Sequence, residues 1–228
     1  MEYISTLKNI PIFKDLDKIE LEYLEKSLVR RKYRAGQIIF HMGDEGGNLY
    51  IIDKGKAKIT IPSSSGEDLI LAILAPGEIL GEISLIDGEP RSASVQALEE
   101  TEVLCLYHED FLNLLRNRFN MVLHIMKVLA QRLRQTDEML ADYHFLNITA
   151  RLAKKIIALA NAFGVNKEDA IHISIKVTQS DLASMIGATR ESVNKSMKIF
   201  KDGGILLWKK GYIQIMDLKK LLTYVGNI

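Results

Sequence analysis

The chain of 228 residues and 25.8 kDa is long enough for one large or two small domains, and 47% hydrophobic against 26% charged residues excludes global disorder. No run approaches the roughly 18 apolar residues of a membrane span, and the start, MEYISTLKNIPIF, lacks a basic region followed by an apolar stretch, so a cytoplasmic chain is expected. A single cysteine, Cys105, excludes an intramolecular disulfide, a four-thiolate iron–sulfur cluster and a Cys-rich zinc site, and the net charge of +1 conceals a division: residues 148–228 hold 13 Lys/Arg and 6 Asp/Glu, the remainder 17 and 23. The basic C-terminal third points to a polyanion partner.

In chain order, residues 6–34 carry Leu16, Ile19, Leu21, Leu24 and Leu28 at helical spacing, which predicts short helices opening the fold. From Ala35 to about Tyr107 the runs QIIF, NLYIID, AKITIP, LILAILA, ASVQAL and EVLCLY alternate with glycines at 36, 43, 46, 47, 55, 66, 77, 81 and 88. Short strands between Gly-containing turns predict a compact antiparallel β-barrel or roll. Between Glu109 and Phe145 there is no Gly or Pro, and the spacing predicts one long helix. Val122, Met126, Leu129, Leu133, Thr136, Leu140 and Tyr143 recur in alternating four- and three-residue steps, a heptad seam that predicts a parallel homodimer. The alternative, an amphipathic helix lying on its own barrel, calls for a broader apolar face.

A second helix follows over 148–163, then a strand-like IHISIK at 171–176. VTQSDLASMIGATRESVNKSMKIFKDGG reads as a helix at Gln179–Ile186, a turn at Gly187–Ala188, and a helix opened by Thr189 and closed by Gly203–Gly204: a helix-turn-helix. ILLWKK and YIQIMD, joined across Gly211, predict a hairpin wing beside it.

The segment GEILGEISLIDGEPRSASV, residues 77–95, is built for an anion. Gly81 permits close backbone approach, EISLI can form a turn with free N–H groups, and the Arg91 fork pairs with the same oxygens. Glu82, acceptor-only when ionised, suits a sugar hydroxyl, so the set is a receptor for a ribose cyclic phosphate; the plainer alternative is that Arg91 and Glu82 pair with each other across a loop.

Gly81-Glu82-Ile83-Ser84 followed by Pro90-Arg91-Ser92-Ala93 resembles the phosphate-binding cassette of cyclic-nucleotide-binding domains. The resemblance continues through Thr136, HFLNITARLAKKI and the helix-turn-helix, so nearly the whole chain is similar to the cyclic AMP receptor/FNR family of transcription regulators. It implies an α+β chain: a cyclic-nucleotide-binding, jelly-roll-like β-roll with leading helices over 1–108, a long dimerisation helix over 109–145, and a winged helix-turn-helix over 146–228. It also implies that Glu82 binds the ribose 2′-hydroxyl, that Arg91 and Ser92 with the backbone of Ile83 and Ser84 bind the cyclic phosphate, and that Thr136 binds the base. Thr136 is polar within the seam, so a base satisfying its hydroxyl would couple effector binding to helix geometry.

Asp137 departs from the family pattern, where the cyclic AMP receptor has serine. Its carboxylate can accept from the adenine amino group or from N1–H and the amino group of guanine, or it can bridge subunits with Arg132. Cyclic AMP is the expected effector, with cyclic GMP, a redox signal, another small molecule or none as the alternative.

The recognition helix begins at Arg190 and projects Arg190, Glu191, Asn194 and Lys195, side chains suited to base edges. Thr178, Gln179 and Ser180, with Lys209 and Lys210 of the wing, are expected phosphate contacts on a palindromic duplex. RNA polymerase is the further expected partner, and a membrane is not. A third reading, an interaction protein whose basic domain binds another protein or a membrane, is separated by a sequence-specific DNA footprint. His41, His108, His124, His144 and His172 show no metal-ligand spacing, and nothing resembles a nucleophile–base pair, so neither a metal site nor an enzyme is expected.

Overall fold

The computed structural model describes residues 7–8, 10–63, 68–167 and 169–226. They fall into two compact units, Met1–Arg134 and Gln135–Ile228.

In the first unit a 3-10 turn, Pro11–Phe13, leads to α1, Lys18–Ser27. Asp17 caps α1 by a capping box: Glu20 N–H donates to Asp17 Oδ1 (2.9 Å) and Asp17 N–H to Glu20 Oε2 (2.8 Å). The sequence predicted helix as far as 34, but Leu28–Tyr33 is strand β1. LVRRKY satisfies a strand period as well as a helical one, and pairing with β8, Thr101–Tyr107, decides in favour of the strand. Ile19 likewise leaves the expected apolar face and is 78% exposed, while Leu16, Leu21 and Leu24 are buried.

The remaining strands are β2 (Ile38–Phe40), β3 (Asn48–Lys54), β4 (Ala57–Pro62), β5 (Asp68–Leu74), β6 (Ile79–Leu80) and β7 (Ser94–Ala97), with the short helix α2, Glu82–Asp87, between the last two. The predicted Gly66 turn lies outside the described residues. Two four-stranded antiparallel sheets result, in the orders β1-β8-β3-β6 and β2-β7-β4-β5, the roll that the glycine punctuation predicts. Strand alternation explains why β3 and β8 read as continuous apolar runs. Tyr50, Ile52, Val103 and Cys105 fill the core between the sheets, while Leu49, Ile51, Leu104 and Leu106 pack in a second core with Phe13, Leu24 and Phe111.

The helix predicted as one piece over 109–145 is two, α3 (His108–Asn117) and α4 (Phe119–Phe145). Arg118 breaks it at φ −135° and ψ 84°, with no Gly or Pro involved. A tertiary tie accounts for the break: its guanidinium pairs with Glu20 and lies 3.4 Å from Asp17, gripping the capped end of α1. On α4 two stripes diverge. Met121 and Ile125 are buried and Val128 and Leu129 pack against the second core, whereas Phe119, Met126, Leu133 and Leu140, seven residues apart, are 71%, 59%, 63% and 69% exposed. One stripe of the helix thus lies on its own unit, as the second alternative requires, and the other is left exposed in the single chain.

The second unit holds α5 (Ile148–Phe163), capped by Asn147, then β9 (Gly164–Lys167), β10 (Ala170–Ile173), α6 (Gln179–Ile186), α7 (Arg190–Asp202), β11 (Leu206–Lys209), β12 (Tyr212–Ile215) and α8 (Leu218–Thr223). The helix-turn-helix bounds agree with the sequence reading because each is fixed locally: Thr178 and Thr189 cap, and Gly187 takes the left-handed φ of 58° that ends α6. Lys210 and Gly211, at φ 53° and 87°, make a two-residue hairpin turn for the wing. Strand β9 and helix α8 were not anticipated; β9, GVNK, has no apolar alternation, and pairing with β10 makes it a strand.

Candidate functional site

The cassette is assembled where β6 ends. Gly81 enters α2 at φ 82°, a conformation that disfavours any Cβ, and a Cβ there would sit 2.3 Å from Arg91 Nη1. The absent side chain lets the guanidinium lie against the backbone. Arg91 is 4% exposed and uses two nitrogens inward: Nη1 donates to Gly81 O (2.7 Å) and Ser84 Oγ (2.8 Å), and Nη2 to Asn48 O (2.7 Å). Its Cζ lies over the rings of Phe40 and Tyr50, 4.5 and 5.6 Å from their centroids. Burial pulls its pKa down, opposed mainly by Tyr50 and Cys105 and less by Glu82 and Asp44. It remains a cation, since a guanidinium is not deprotonated in proteins.

Glu82 is fully buried. It does not pair with Arg91; Oε1 accepts from Arg132 of α4, whose Nη2 also donates to Ile79 O (2.6 Å). Arg132 thus bonds to Glu82 and Ile79 of its own chain. Two polar atoms of the cassette are buried without a partner, the acceptor Glu82 Oε2 and the donor Arg91 Nε. Orphaned groups of this kind cost about 1–3 kcal/mol each unless something meets them. A hydroxyl fits the first and an anionic oxygen the second.

The structure brings Gly81, Glu82, Ser84 and Arg91 together, with the Ser84 hydroxyl turned inward to hold Arg91. Ile83 and Ser92 are exposed beside them. Thr136 and Asp137 are exposed on α4, in the second unit and one turn beyond Arg132. Arg132, Asn48, Phe40 and Tyr50 were not singled out for this site. Arg132 stood out only as a flanking heptad position, because its carboxylate partner lies fifty residues away in sequence.

The cassette also needs Gly46, whose Cβ would fall 2.3 Å from Ser84 Oγ and 2.4 Å from its Cβ. Gly46→Ala should push Ser84 off Arg91 and cost about 1–3 kcal/mol of stability, read by thermal unfolding. Gly47→Ala, with nothing within 4 Å, is the matched control and should leave the transition unmoved.

Two members of the predicted seam face elsewhere. Leu129 packs on the core of its own unit. Tyr143 packs within the second unit: Arg151 lies 5.0 Å over its ring, and a Cβ on Gly187 would meet that ring at 2.8 Å. Its burial there raises the phenol pKa. Val122 is half-buried, and Met126, Leu133 and Leu140 remain the exposed apolar row.

In the winged unit the Thr178 hydroxyl is engaged as a cap, accepting from Asp181 N–H (3.0 Å). Arg190 folds back so that Nε donates to Gln179 Oε1 (3.0 Å), and Glu191 pairs with Lys195 at 3.0 Å across one exposed turn. Asn194, Ser180, Lys209 and Lys210 are exposed. A cavity of about 600 Å³ gathers Thr178, Gln179, Ser180, Arg190 and Lys210 on its walls, together with Lys176 and Trp208, which the sequence reading passed over. Among the described residues no helix is long and apolar enough to cross a membrane, and no group of three His, Cys, Asp or Glu could hold a metal.

Comparisons with known proteins agree with this geometry. The families described as Cyclic nucleotide-binding domain and Crp-like helix-turn-helix domain match residues 30–118 and 150–224. The chain is 30% identical over 210 residues to the CRP-like cAMP-activated global transcriptional regulator of Mycobacterium tuberculosis, covering 92% of this chain and 94% of that protein. It is 32% identical over 212 residues to the Cyclic AMP receptor protein of Thermus thermophilus, with the same coverage of 92% and 94%. The fold is shared with FixK2 of Bradyrhizobium japonicum (TM-score 0.79, 16% identity, 88% of this chain and 98% of that one). It is shared also with the c-di-GMP responsive global regulator CLP of Xanthomonas campestris (TM-score 0.77, 22% identity, 88% and 100%).

Proposed function

The chain belongs to the CRP/FNR family of DNA-binding transcription regulators, which are not enzymes, and from that premise we propose that it is a homodimer switched by a 3′,5′-cyclic nucleotide, cyclic AMP in the first place. The observation that carries the effector is the pair of orphaned atoms in the cassette, Glu82 Oε2 and Arg91 Nε. The ribose 2′-hydroxyl donates to the first. The cyclic phosphate takes the second, together with Ser92 and the N–H groups of Ile83 and Ser84, which open a helix and so have no intrahelical acceptor. Thr136 and Asp137 take the base. The relatives named cAMP-activated support this choice of nucleotide.

Population shift links binding to output: the nucleotide favours one arrangement of the α4 pair, and the two copies of α7 then enter successive major grooves of a palindromic site. Arg190, Glu191, Asn194 and Lys195 read bases once DNA draws Arg190 from Gln179 and opens the Glu191–Lys195 pair. Thr178, Gln179, Ser180, Lys209 and Lys210 hold phosphates. The bound dimer addresses RNA polymerase in the cytoplasm.

One residue favours a second nucleotide: a carboxylate at Asp137 accepts two parallel hydrogen bonds from guanine but only one from the adenine amino group. Calorimetric titration with cyclic AMP and cyclic GMP separates the two. Cyclic AMP should bind at least about tenfold more tightly, a 1.4 kcal/mol difference. Asp137→Ser should widen the margin, and binding of neither nucleotide would remove the effector assignment while leaving the DNA-binding half intact.

A further inference from the structure

Trp208, the single tryptophan of the chain, sits on β11 of the wing with its indole nitrogen buried and without a partner. An unmet buried donor costs about 1–3 kcal/mol, so the wing carries a deficit that a ligand can relieve. The residue lines the cavity of about 600 Å³ described above, and the charged residues on its walls are Lys176, Arg190 and Lys210, with no carboxylate among them. Arg190 is the first residue of α7, so the cavity adjoins the end of the recognition helix, where a duplex backbone runs beside the groove.

The wall is held in place. Val177 N–H donates to Gly211 O (2.8 Å), fastening the wing turn to the segment that enters α6, and the stem of Lys176 lies across Gly211, where a Cβ would meet it at 2.6 Å. A donor carried on such a support is presented in a fixed direction at little ordering cost.

Resting on the DNA-binding reading, we propose that Trp208 is a DNA-contacting residue: its indole N–H donates to a backbone phosphate oxygen seated in the wing cavity among Lys176, Arg190 and Lys210. The indole supplies a neutral, directional hydrogen bond where the lysines supply charge. This divides the work at one phosphate: the cations make binding salt-dependent, and Trp208 fixes the register of the wing on the backbone without reading sequence.

The test uses the full-length protein and two unrelated duplexes at low salt, where sequence-independent binding is strong. Trp208→Phe keeps a ring and loses only the donor and the second cycle. It should weaken both duplexes alike, by about tenfold, with the slope of log affinity against log salt unchanged. Lys176→Met and Lys210→Met should each lower that slope by about one per protomer. In the wild type, tryptophan emission should change on adding either duplex, a measurement that stands even if Trp208→Phe proves unstable in thermal unfolding. Wild-type affinity in a folded Trp208→Phe protein, a loss confined to one sequence, or unaltered emission at saturation would overturn the assignment. Failure of the wild type to bind either duplex would instead overturn the DNA-binding reading itself.

Discussion

Arg91→Leu is expected to abolish the calorimetric signal of cyclic AMP and with it nucleotide-dependent DNA binding. The guanidinium lies against Gly81, and Arg91 Nε is the donor left over once its other nitrogens are spent on Gly81 O, Ser84 Oγ and Asn48 O. Charge-assisted bonds to a phosphate are roughly twice as strong as neutral ones, so affinity should fall by at least about a hundredfold. The variant also removes three hydrogen bonds, to Gly81 O, Ser84 Oγ and Asn48 O, and a cation over Phe40 and Tyr50, so thermal stability should fall too, by about 2–4 kcal/mol. Arg91→Lys discriminates between the two effects. It restores a charge but not a planar fork, and should recover part of the stability while nucleotide affinity stays more than about tenfold reduced. A cyclic AMP response of normal strength in a folded Arg91→Leu protein contradicts the assignment of the cassette.

If the proposed dimer forms through the exposed row of α4, Leu133→Glu should separate it into chains of 25.8 kDa in sedimentation velocity. Leu133 is 63% exposed in the single chain, flanked seven residues away on either side by Met126 and Leu140. Burying such a side chain contributes about 1.5–3 kcal/mol, and each substitution acts twice across a two-fold axis while setting two carboxylates face to face. Affinity for a palindromic duplex should fall by about 10²–10⁴, the loss expected when two linked half-site contacts become independent. Leu129→Ala provides the contrast. Leu129 packs on the core of its own unit, so its truncation should lower thermal stability and leave the dimer associated. Dissociation by Leu129→Ala together with an intact Leu133→Glu dimer would place the interface on the other stripe of α4.

Where the fold was legible in the sequence, a local rule was sufficient. Thr178, Gly187, Thr189 and Gly211 set the helix-turn-helix and wing through caps and left-handed turns, each a matter of a few neighbouring residues. The cassette was legible for a similar reason: Gly81, Glu82 and Arg91 lie within one short segment whose residue types suit a cyclic phosphate. The strand Leu28–Tyr33 and the break at Arg118 were not, since the first depends on β8, about seventy residues away, and the second on the cap of α1, about a hundred residues away.

By itself, then, the amino-acid order determined the elements whose hydrogen bonds close locally, the basic character of the winged unit, and the presence of a hydroxyl-accepting carboxylate beside an anion-seeking guanidinium. Only the tertiary structure decided what those charges do at rest. It gave Glu82 to Arg132, turned Arg91 onto backbone carbonyls, divided α4 between an inward and an outward stripe, and left Trp208 with an unmet donor. The reason is that a buried polar group must find its partner in space, and which residues stand within about 3 Å of it is settled by packing, not by sequence neighbourhood.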